Sequence, residues 1–305
     1  MISKAPADSC AERPSWTSRV KETMNHKFRF NKESMDRIKR FMTGEEPPQT
    51  PEPPQEEEQP SQVEVVREGG LCAALLTDIG CVRVSNQDAL VKGEMLFGVA
   101  DGMGGHNGGE TASAGARDGL VSLLEGKQPS VDALRTAFKA VNHRLFLQQQ
   151  EDESLSGMGT TLSVVWLSEN YVYIGHVGDS RVYLLRDGEF RQVTDDHSLV
   201  AELERLGQLT HEQALHHPMK NVITRAVGTE ETIDTDLMVE ERRKGDTWLI
   251  CSDGLTGMVS DKSIEAIISA NEVEKAAELL VEAARKGGGR DNISVALVRE
   301  EEAAE

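Results

Sequence analysis

Four aspartates of this sequence lie in short segments that pair Asp with glycine or a small polar residue. The segments are VADGMGG (Asp101), HVGDSR (Asp179), ICSDGLTG (Asp253) and GGRDN (Asp291). Each alone indicates a turn, because Asp and Gly are favoured where strands end. Carboxylates at several strand ends can also converge at one edge of a sheet sandwich. Hard cations such as Mg²⁺ and Mn²⁺ prefer such oxygen ligands.

The chemistry of such a centre would be metal-assisted hydrolysis. Two ions roughly 3.5–4 Å apart can share a carboxylate and acidify a bridging water into a nucleophile. Gly102 and Gly254 would let the backbone approach an ion closely. The sequence contains no GxSxG, CxxxxxR or GxxxxGK[ST] segment. It therefore lacks the motifs of a serine nucleophile, of a cysteine-containing phosphate loop and of a nucleotide-binding P-loop.

The surrounding elements must bring these aspartates together. Apolar runs predict strands at 71–77, 95–100, 160–167, 171–178, 181–193, 221–227, 247–252 and 293–298. The strand run at 181–193 contains Asp187-Gly188, a strong hairpin signal. Helical spacing or composition predicts helices at 109–124, 131–145, 198–206 and 273–284.

Strands joined by hairpins, with helices in paired blocks, argue against a doubly wound α/β sheet. We therefore predict an α+β fold, in which two packed antiparallel β-sheets form a β-sandwich flanked by helices, in four layers ordered α-β-β-α. A folded domain is expected over 63–305.

The N-terminal part has a different composition. Residues 1–44 carry ten Lys/Arg against five Asp/Glu, whereas 45–68 hold eight Glu and one Arg in a Pro/Glu-rich run. We predict that 1–62 form a disordered tail with an extended linker. Met35, Ile38 and Met42 allow a short basic amphipathic helix over 32–43. That segment either has no partner, or docks a protein or, less favoured, a membrane surface.

Composition excludes several classes of protein. The 305 residues carry a net charge of −19, which disfavours nucleic acid as a main partner. The longest apolar runs are too short to span a bilayer, and the N-terminus lacks a secretory signal, so a cytoplasmic location is expected. Four scattered cysteines form no CxxC. Cys72, Cys81 and Cys251 are predicted to be small core residues.

Six segments in order resemble the successive motifs of the PPM, or type 2C, protein serine/threonine phosphatases, with the bacterial branch the nearest match. They are TDIGCVRVSNQDA, FGVADGMGGHNGGETAS, GMGTTLSVVWL, VGDSRVYLLRDGEFRQVTDDHSLV, ICSDGLTGMVS and GGRDNISVALV. The resemblance covers about residues 70–298 without a missing block.

The resemblance implies a role for each aspartate. Asp101 would bridge two Mn²⁺ or Mg²⁺ ions, and the Gly102 carbonyl would complete the ligands of one. Asp253 and Asp291 would bind the second ion. Asp179, with Asp253, falls where bacterial members hold a third, weaker ion.

Two further residues match positions that act on the water and the substrate. Asp88 corresponds to an acidic position that orients metal-bound water. Arg83 corresponds to the residue that binds the substrate phosphate. The planar guanidinium can bond two phosphate oxygens and keeps its charge. The implied reaction is attack by metal-activated water on phosphoserine or phosphothreonine without a phosphoenzyme. The implied partners are phosphoproteins, namely bacterial Ser/Thr kinases and their targets, and a monomer is expected.

The sequence departs from the family pattern at two positions. Gln87 replaces a Glu that many relatives have, from which we expect altered metal affinity rather than lost activity. Met103 stands where eukaryotic relatives place a His proposed as the general acid, so a metal-bound water is expected to protonate the leaving group instead. His106 is expected to be a loop residue without a catalytic role.

The segment 195–218 matches a flap beside the active site of the family. Its four histidines favour surface polarity over a metal cluster; they are His197, His211, His216 and His217. Substrate selection could lie in this segment, because loops vary while the scaffold stays fixed.

Two rival functions stay open at this stage. One is a non-catalytic relative that binds phosphoproteins, although the intact Arg83, Asp101, Asp253 and Asp291 argue against it. The other is an acidic calcium-binding β-sandwich.

Overall fold

The computed structural model describes residues 62–68 and 70–300. The predicted disorder of the tail and the amphipathic helix at 32–43 lie outside the described residues. The strands are Glu64–Glu68 (β1), Leu71–Asp78 (β2), Asp88–Gly93 (β3), Leu96–Met103 (β4), Gly159–Thr160 (β5), Leu162–Leu167 (β6), Tyr171–Val177 (β7), Arg181–Arg186 (β8), Glu189–Gln192 (β9), Asp236–Glu241 (β10), Thr247–Cys251 (β11) and Ile293–Glu300 (β12).

These strands form two antiparallel sheets. The first has the order β1-β2-β12-β11-β8-β9, and the second has the order β10-β7-β6-β4-β3, with the short β5 paired to β4. Strand β2 is central in the first sheet and covered on both faces, which explains its nearly continuous apolar run.

Seven α-helices occur in the described part of the chain. They are Gly105–Leu124 (α1), Val131–Glu151 (α2), Leu199–Arg205 (α3), His211–Leu215 (α4), Asp253–Thr256 (α5), Asp261–Ala270 (α6) and Val273–Lys286 (α7). Side-chain caps fix several of their starts. Ser130 accepts from the N–H of Ala133 at the start of α2, and Thr210 forms a capping box with Gln213 at the start of α4.

Three apolar clusters define the layers. Helices α1 and α2 bury residues such as Leu120 and Phe138 against the second sheet. Helices α6 and α7 bury residues such as Ile264 and Leu280 against the first sheet. The inner faces of the two sheets meet around Val99 and Trp248. The predicted four-layer α-β-β-α sandwich is therefore confirmed.

Most predicted elements are present, with boundary shifts of a few residues. Asp187 and Gly188 form the β8–β9 turn with φ of 53° and 80°, as their sequence predicts. The helical spacing from Val273 to Ala284 is likewise realised, because those side chains face the core in α7.

Some predictions were wrong. Segment 221–227 is not a strand; it forms isolated bridges through Ile223 and Val227, because it returns from the flap rather than joining a sheet. Strands β1, β3 and β10 and helices α4, α5 and α6 were not predicted. Cys81 is exposed in the loop after β2 and is not a core residue. Within the described residues, none of the helices combines the length and apolar character needed to cross a bilayer.

Candidate metal centre

Asp88 and Asp101 face each other at one end of the second sheet. Asp88 begins β3, and the strand register makes it the direct partner of Asp101 in β4. The backbone of Asp101 is fixed from the neighbouring strand, because its N–H donates to Thr161 Oγ1 at 2.9 Å and its carbonyl accepts from Thr161 N at 2.9 Å. Two carboxylates are thus placed on adjacent strands by the pairing itself.

Gly102 lies in a space that admits no side chain. Its N–H donates to the Gln87 carbonyl at 3.1 Å. A Cβ there would overlap the Gly109 carbonyl oxygen of α1 and crowd the Gln87 carbonyl. Glycine is therefore required for α1 to pack closely beside Asp101.

Asp253 comes from the first sheet, at the start of the short helix α5 after β11. The preceding Ser252 donates from Oγ to Asp88 Oδ2 at 2.8 Å, which links the ends of the two sheets. A Cβ at Gly254 would overlap the Asn292 carbonyl oxygen, so the helix start lies directly against the Asp291 loop.

Asp291 precedes β12 and contacts Arg83 from the loop after β2. Arg83 Nη2 donates to Asp291 Oδ2 at 2.6 Å, and the Arg83 side chain is 49% exposed. Although burial acts in the opposite direction, the hydrogen bond and charge of Asp291 raise the pKa of Arg83. The positively charged guanidinium of Arg83 therefore lies next to Asp291 and is half exposed to solvent.

Asp179 occupies the turn between β7 and β8 and lines the same cavity as Asp253. It is buried, and its Oδ1 has no hydrogen-bond partner. Burial raises the pKa of Asp179 well above its ordinary value, and the negative charge of Asp253 adds to this effect.

The electrostatics of the cluster are those of like charges held together away from water. Burial raises the pKa of Asp253 to about 7, helped by the charges of Asp291 and Asp88. Burial also raises the pKa of Asp88 to about 6, and that of Asp101 well above its usual range, with Asp88 as its strongest charged neighbour. A cation placed among these groups would favour their ionised forms.

The donor set fits hard divalent cations. Every candidate ligand is a carboxylate or carbonyl oxygen, and both Asp88 and Asp179 have a buried Oδ1 without a partner. In residues 62–68 and 70–300, no three His, Cys, Asp or Glu side chains form a preassembled ligand shell. The oxygen donors named above are of the type that Mg²⁺ and Mn²⁺ prefer, and Mg²⁺ keeps several waters in protein sites.

Sequence reasoning missed the residue that holds the Arg83 loop. Asn292 is buried; its Oδ1 accepts from Gln87 N at 2.9 Å, and its Nδ2 donates to the carbonyls of Ile79 and Ser85 at 3.0 Å each. One side chain thus fixes the loop that carries Arg83 and leads to Asp88. The segment GGRDN contains this Asn, but its contacts are more than 200 residues distant along the chain.

The histidine prediction was half wrong. His197 and His217 are buried and hydrogen-bonded, whereas His211 and His216 are exposed. The Met103 side chain is partly buried at the end of β4, and the side chain of His106 lies outside the described part.

Comparison with known proteins gives a consistent family. The model of the Protein phosphatase 2C family matches residues 83–288. The chain is 40% identical over 235 residues to the protein phosphatase PhpP of Streptococcus pneumoniae, covering 74% of this chain and 96% of PhpP. It is 40% identical over 225 residues to the serine/threonine protein phosphatase PstP of Mycobacterium tuberculosis. That match covers 73% of this chain but only 43% of the length of PstP.

A solved structure agrees with the fold. The catalytic domain of the serine/threonine protein phosphatase PstP, in complex with two manganese ions, superposes with a TM-score of 0.71 at 38% identity. The match covers 76% of this chain and 99% of that domain.

Proposed function

The chain belongs to the protein phosphatase 2C family, and we propose on this basis that it is a metal-dependent protein serine/threonine phosphatase. The observation that carries the proposal is the convergence of Asp88, Asp101, Asp253 and Asp291 at the joined ends of the two sheets, with Arg83 beside them. A manganese-containing relative of the same fold supports it.

In the proposed centre, Asp101, the Gly102 carbonyl, Asp253 and Asp291 would hold two Mn²⁺ or Mg²⁺ ions, and Asp179 with Asp253 would hold a third, weaker one. When bound, such ions acidify water and neutralise phosphate charge. Two observations support the inclusion of Asp179: its buried Oδ1 has no hydrogen-bond partner, and it lines the same cavity as Asp253.

The protein side chains orient the reaction. Arg83 binds two phosphate oxygens through its fork and keeps its charge throughout the reaction. Asp88 orients the attacking water through Oδ1, while Ser252 holds Oδ2 at 2.8 Å. Most of the acceleration comes from positioning and charge stabilisation, and no side chain forms a phosphoenzyme.

The biological setting follows from the relatives rather than from the site. We propose that the substrates are phosphoproteins, chiefly bacterial Ser/Thr kinases and their targets, and that the protein is a cytoplasmic monomer. Residues 63–305 form the phosphatase domain, and the segment 1–62, a basic tail plus a Pro/Glu-rich linker, serves to dock a protein partner.

The test is Mn²⁺-dependent hydrolysis of p-nitrophenyl phosphate by the pure protein. Asp101→Ala and Asp253→Ala are expected to abolish it, whereas Asp118→Ala, on the exposed face of α1, leaves it intact. Inactive wild-type protein that still binds phosphopeptides would favour the non-catalytic relative. Calorimetric preference for Ca²⁺ together with inactivity in Mn²⁺ would favour the calcium-binding alternative.

A further inference from the structure

His197 forms hydrogen bonds with both the backbone N–H and the backbone carbonyl of Gly178, the residue before Asp179. The His197 N–H donates to the Gly178 carbonyl at 2.8 Å, and the Gly178 N–H donates to His197 Nδ1 at 3.0 Å. His197 is 8% exposed. A single residue therefore satisfies both backbone groups of the position that leads into the candidate ligand.

Gly178 also contacts the residue that holds Asp101. Its φ of +112° is a conformation that favours glycine. The backbone of Gly178 also lies so near Thr161 that a Cβ at this position would be only 2.5 Å from Thr161 Cγ2. Thr161 Oγ1 accepts from the Asp101 N–H. A shift of the Gly178 peptide would consequently change the position of Asp179 relative to Asp101.

The second ring nitrogen of His197 reaches a different part of the fold. Nε2 lies 3.1 Å from Asp236 Oδ2 in β10 and 3.0 Å from Arg225 Nη1, which itself donates to Asp236 Oδ1 at 2.7 Å. Because Nδ1 accepts from Gly178, the proton of the neutral ring is on Nε2 and is donated to Asp236. Burial, reinforced by the charge of Arg225, lowers the pKa of His197 and keeps the ring neutral.

Backbone hydrogen bonds, one of them to the His197 carbonyl, join the two ends of the flap. The Thr224 N–H donates to the His197 carbonyl at 2.8 Å, and the Leu199 N–H donates to the Val222 carbonyl at 2.8 Å. Between these ends the chain forms α3 and α4. A cavity of about 370 Å³ separates these helices from Asp179 and Asp253.

We propose that His197 is a positioning residue with two separable arms, Nδ1 holding the Gly178–Asp179 turn for cation binding and Nε2 holding the base of the flap. The inference rests on the proposed function and extends it to a residue outside the carboxylate cluster.

Two substitutions separate the arms. In His197→Asn the side-chain oxygen takes the place of Nδ1, so the Gly178 bond is kept and the Asp236 bond is lost. In His197→Gln the amide nitrogen takes the place of Nε2, so the Asp236 bond is kept and the Gly178 bond is lost. His217→Asn is the matched control, because this buried histidine accepts from Met219 N inside the flap.

Direct Mn²⁺ titration by calorimetry, without substrate, gives the first result. We expect His197→Gln to weaken the weakest Mn²⁺ binding step by about 10-fold or more, the range seen when partners of metal ligands are removed. His197→Asn and His217→Asn should bind Mn²⁺ like the wild type. For His197→Asn we expect a KM for a phosphoserine peptide raised several-fold, with an unchanged KM for p-nitrophenyl phosphate.

Equal loss of Mn²⁺ affinity in His197→Asn and His197→Gln, or no loss in either, would overturn the inference while leaving the phosphatase proposal intact. Wild-type protein that neither binds Mn²⁺ nor hydrolyses p-nitrophenyl phosphate would overturn both. Thermal unfolding monitors folding of each variant. Should a His197 variant fail to fold, Asp236→Ala cuts the Nε2 arm from the partly exposed side, and it must reproduce the peptide KM effect with normal Mn²⁺ binding.

Discussion

Asp88 and Ser252 connect the two sheets of the sandwich through a 2.8 Å hydrogen bond at the end where the carboxylates gather. Asp88 belongs to the second sheet and is the strand partner of Asp101, whereas Ser252 ends the first sheet directly before Asp253. The distance between the candidate ligands of the two sheets is therefore set by a direct contact, rather than by the packing of the sheets alone.

Arg83→Ala is expected to lower kcat/KM for a phosphoserine peptide by about 100-fold or more, because a charged donor to the phosphate is removed. Arg83→Lys should recover only part of the loss, since an ammonium lacks the planar fork. Arg290→Ala, which removes an exposed charge beside Asp291, is the control. Wild-type kinetics in Arg83→Ala would contradict the assignment of the phosphate site.

Asn292→Asp is expected to lower the free energy of unfolding by roughly 2–5 kcal/mol, because two partly buried carbonyls lose their donor. The affected groups are the carbonyls of Ile79 and Ser85. Activity should fall as well, even at temperatures where the variant is fully folded, since the loop with Arg83 is released. Chemical denaturation and steady-state kinetics measure the two effects. A variant that is less stable but fully active would show that Asn292 does not position the loop.

His176 should make the protein less stable in acid. Burial, together with the neighbouring His197, lowers the pKa of His176 to about 4, whereas an unfolded histidine titrates near 6.5. Between these values the unfolded chain binds a proton that the folded protein does not, so the free energy of unfolding decreases as the pH falls. His176 should contribute roughly 3 kcal/mol of this decrease between pH 7 and pH 4.

The measurement compares His176→Gln with the wild type by chemical denaturation at several pH values. Because groups distant from His176 titrate alike in both proteins, their difference reports His176 together with its interaction with His197. The wild-type curve should be the steeper one below pH 6.5. Parallel curves would indicate that the histidine titrates alike in the folded and unfolded protein.

Deletion of residues 1–62 is expected to leave kcat and KM for p-nitrophenyl phosphate unchanged within about 2-fold. All candidate ligands lie in the domain beyond this segment, and β1 begins only at Glu64. If the tail docks a partner, the deletion should impair a protein substrate more than the small one. A large fall in turnover on the small substrate would assign the tail to the catalytic unit.

Local signals in the sequence predicted the elements that local physics determines. The apolar spacing of α7 and the Asp187-Gly188 turn needed no tertiary information. By contrast, β10 carries DLMVEE, whose edge position leaves several side chains half exposed, so its pattern is weak. Segment 221–227 is rich in β-branched residues, yet the flap contacts decide its conformation.

The residues of the site likewise fall into those that the sequence predicts and those that it does not. The aspartates could be found from their Asp-Gly surroundings and from the order of the family motifs. Asn292 and His197 could not, because their roles consist of hydrogen bonds to Gln87, Ser85 and Gly178 that depend on the folded arrangement of distant loops. An Asn or a His in a polar segment gives no sign of such contacts.

The central claim is that the carboxylates around Asp101 bind the cations that drive phosphate hydrolysis. It is tested most directly by phosphate release from a phosphoserine peptide, with Mn²⁺ and with a chelator, for the wild type and Asp101→Asn. Release should require Mn²⁺ in the wild type and fall more than about 100-fold in the folded variant at saturating Mn²⁺. Equal release with the chelator, or an Asp101→Asn variant as active as the wild type, would contradict the account.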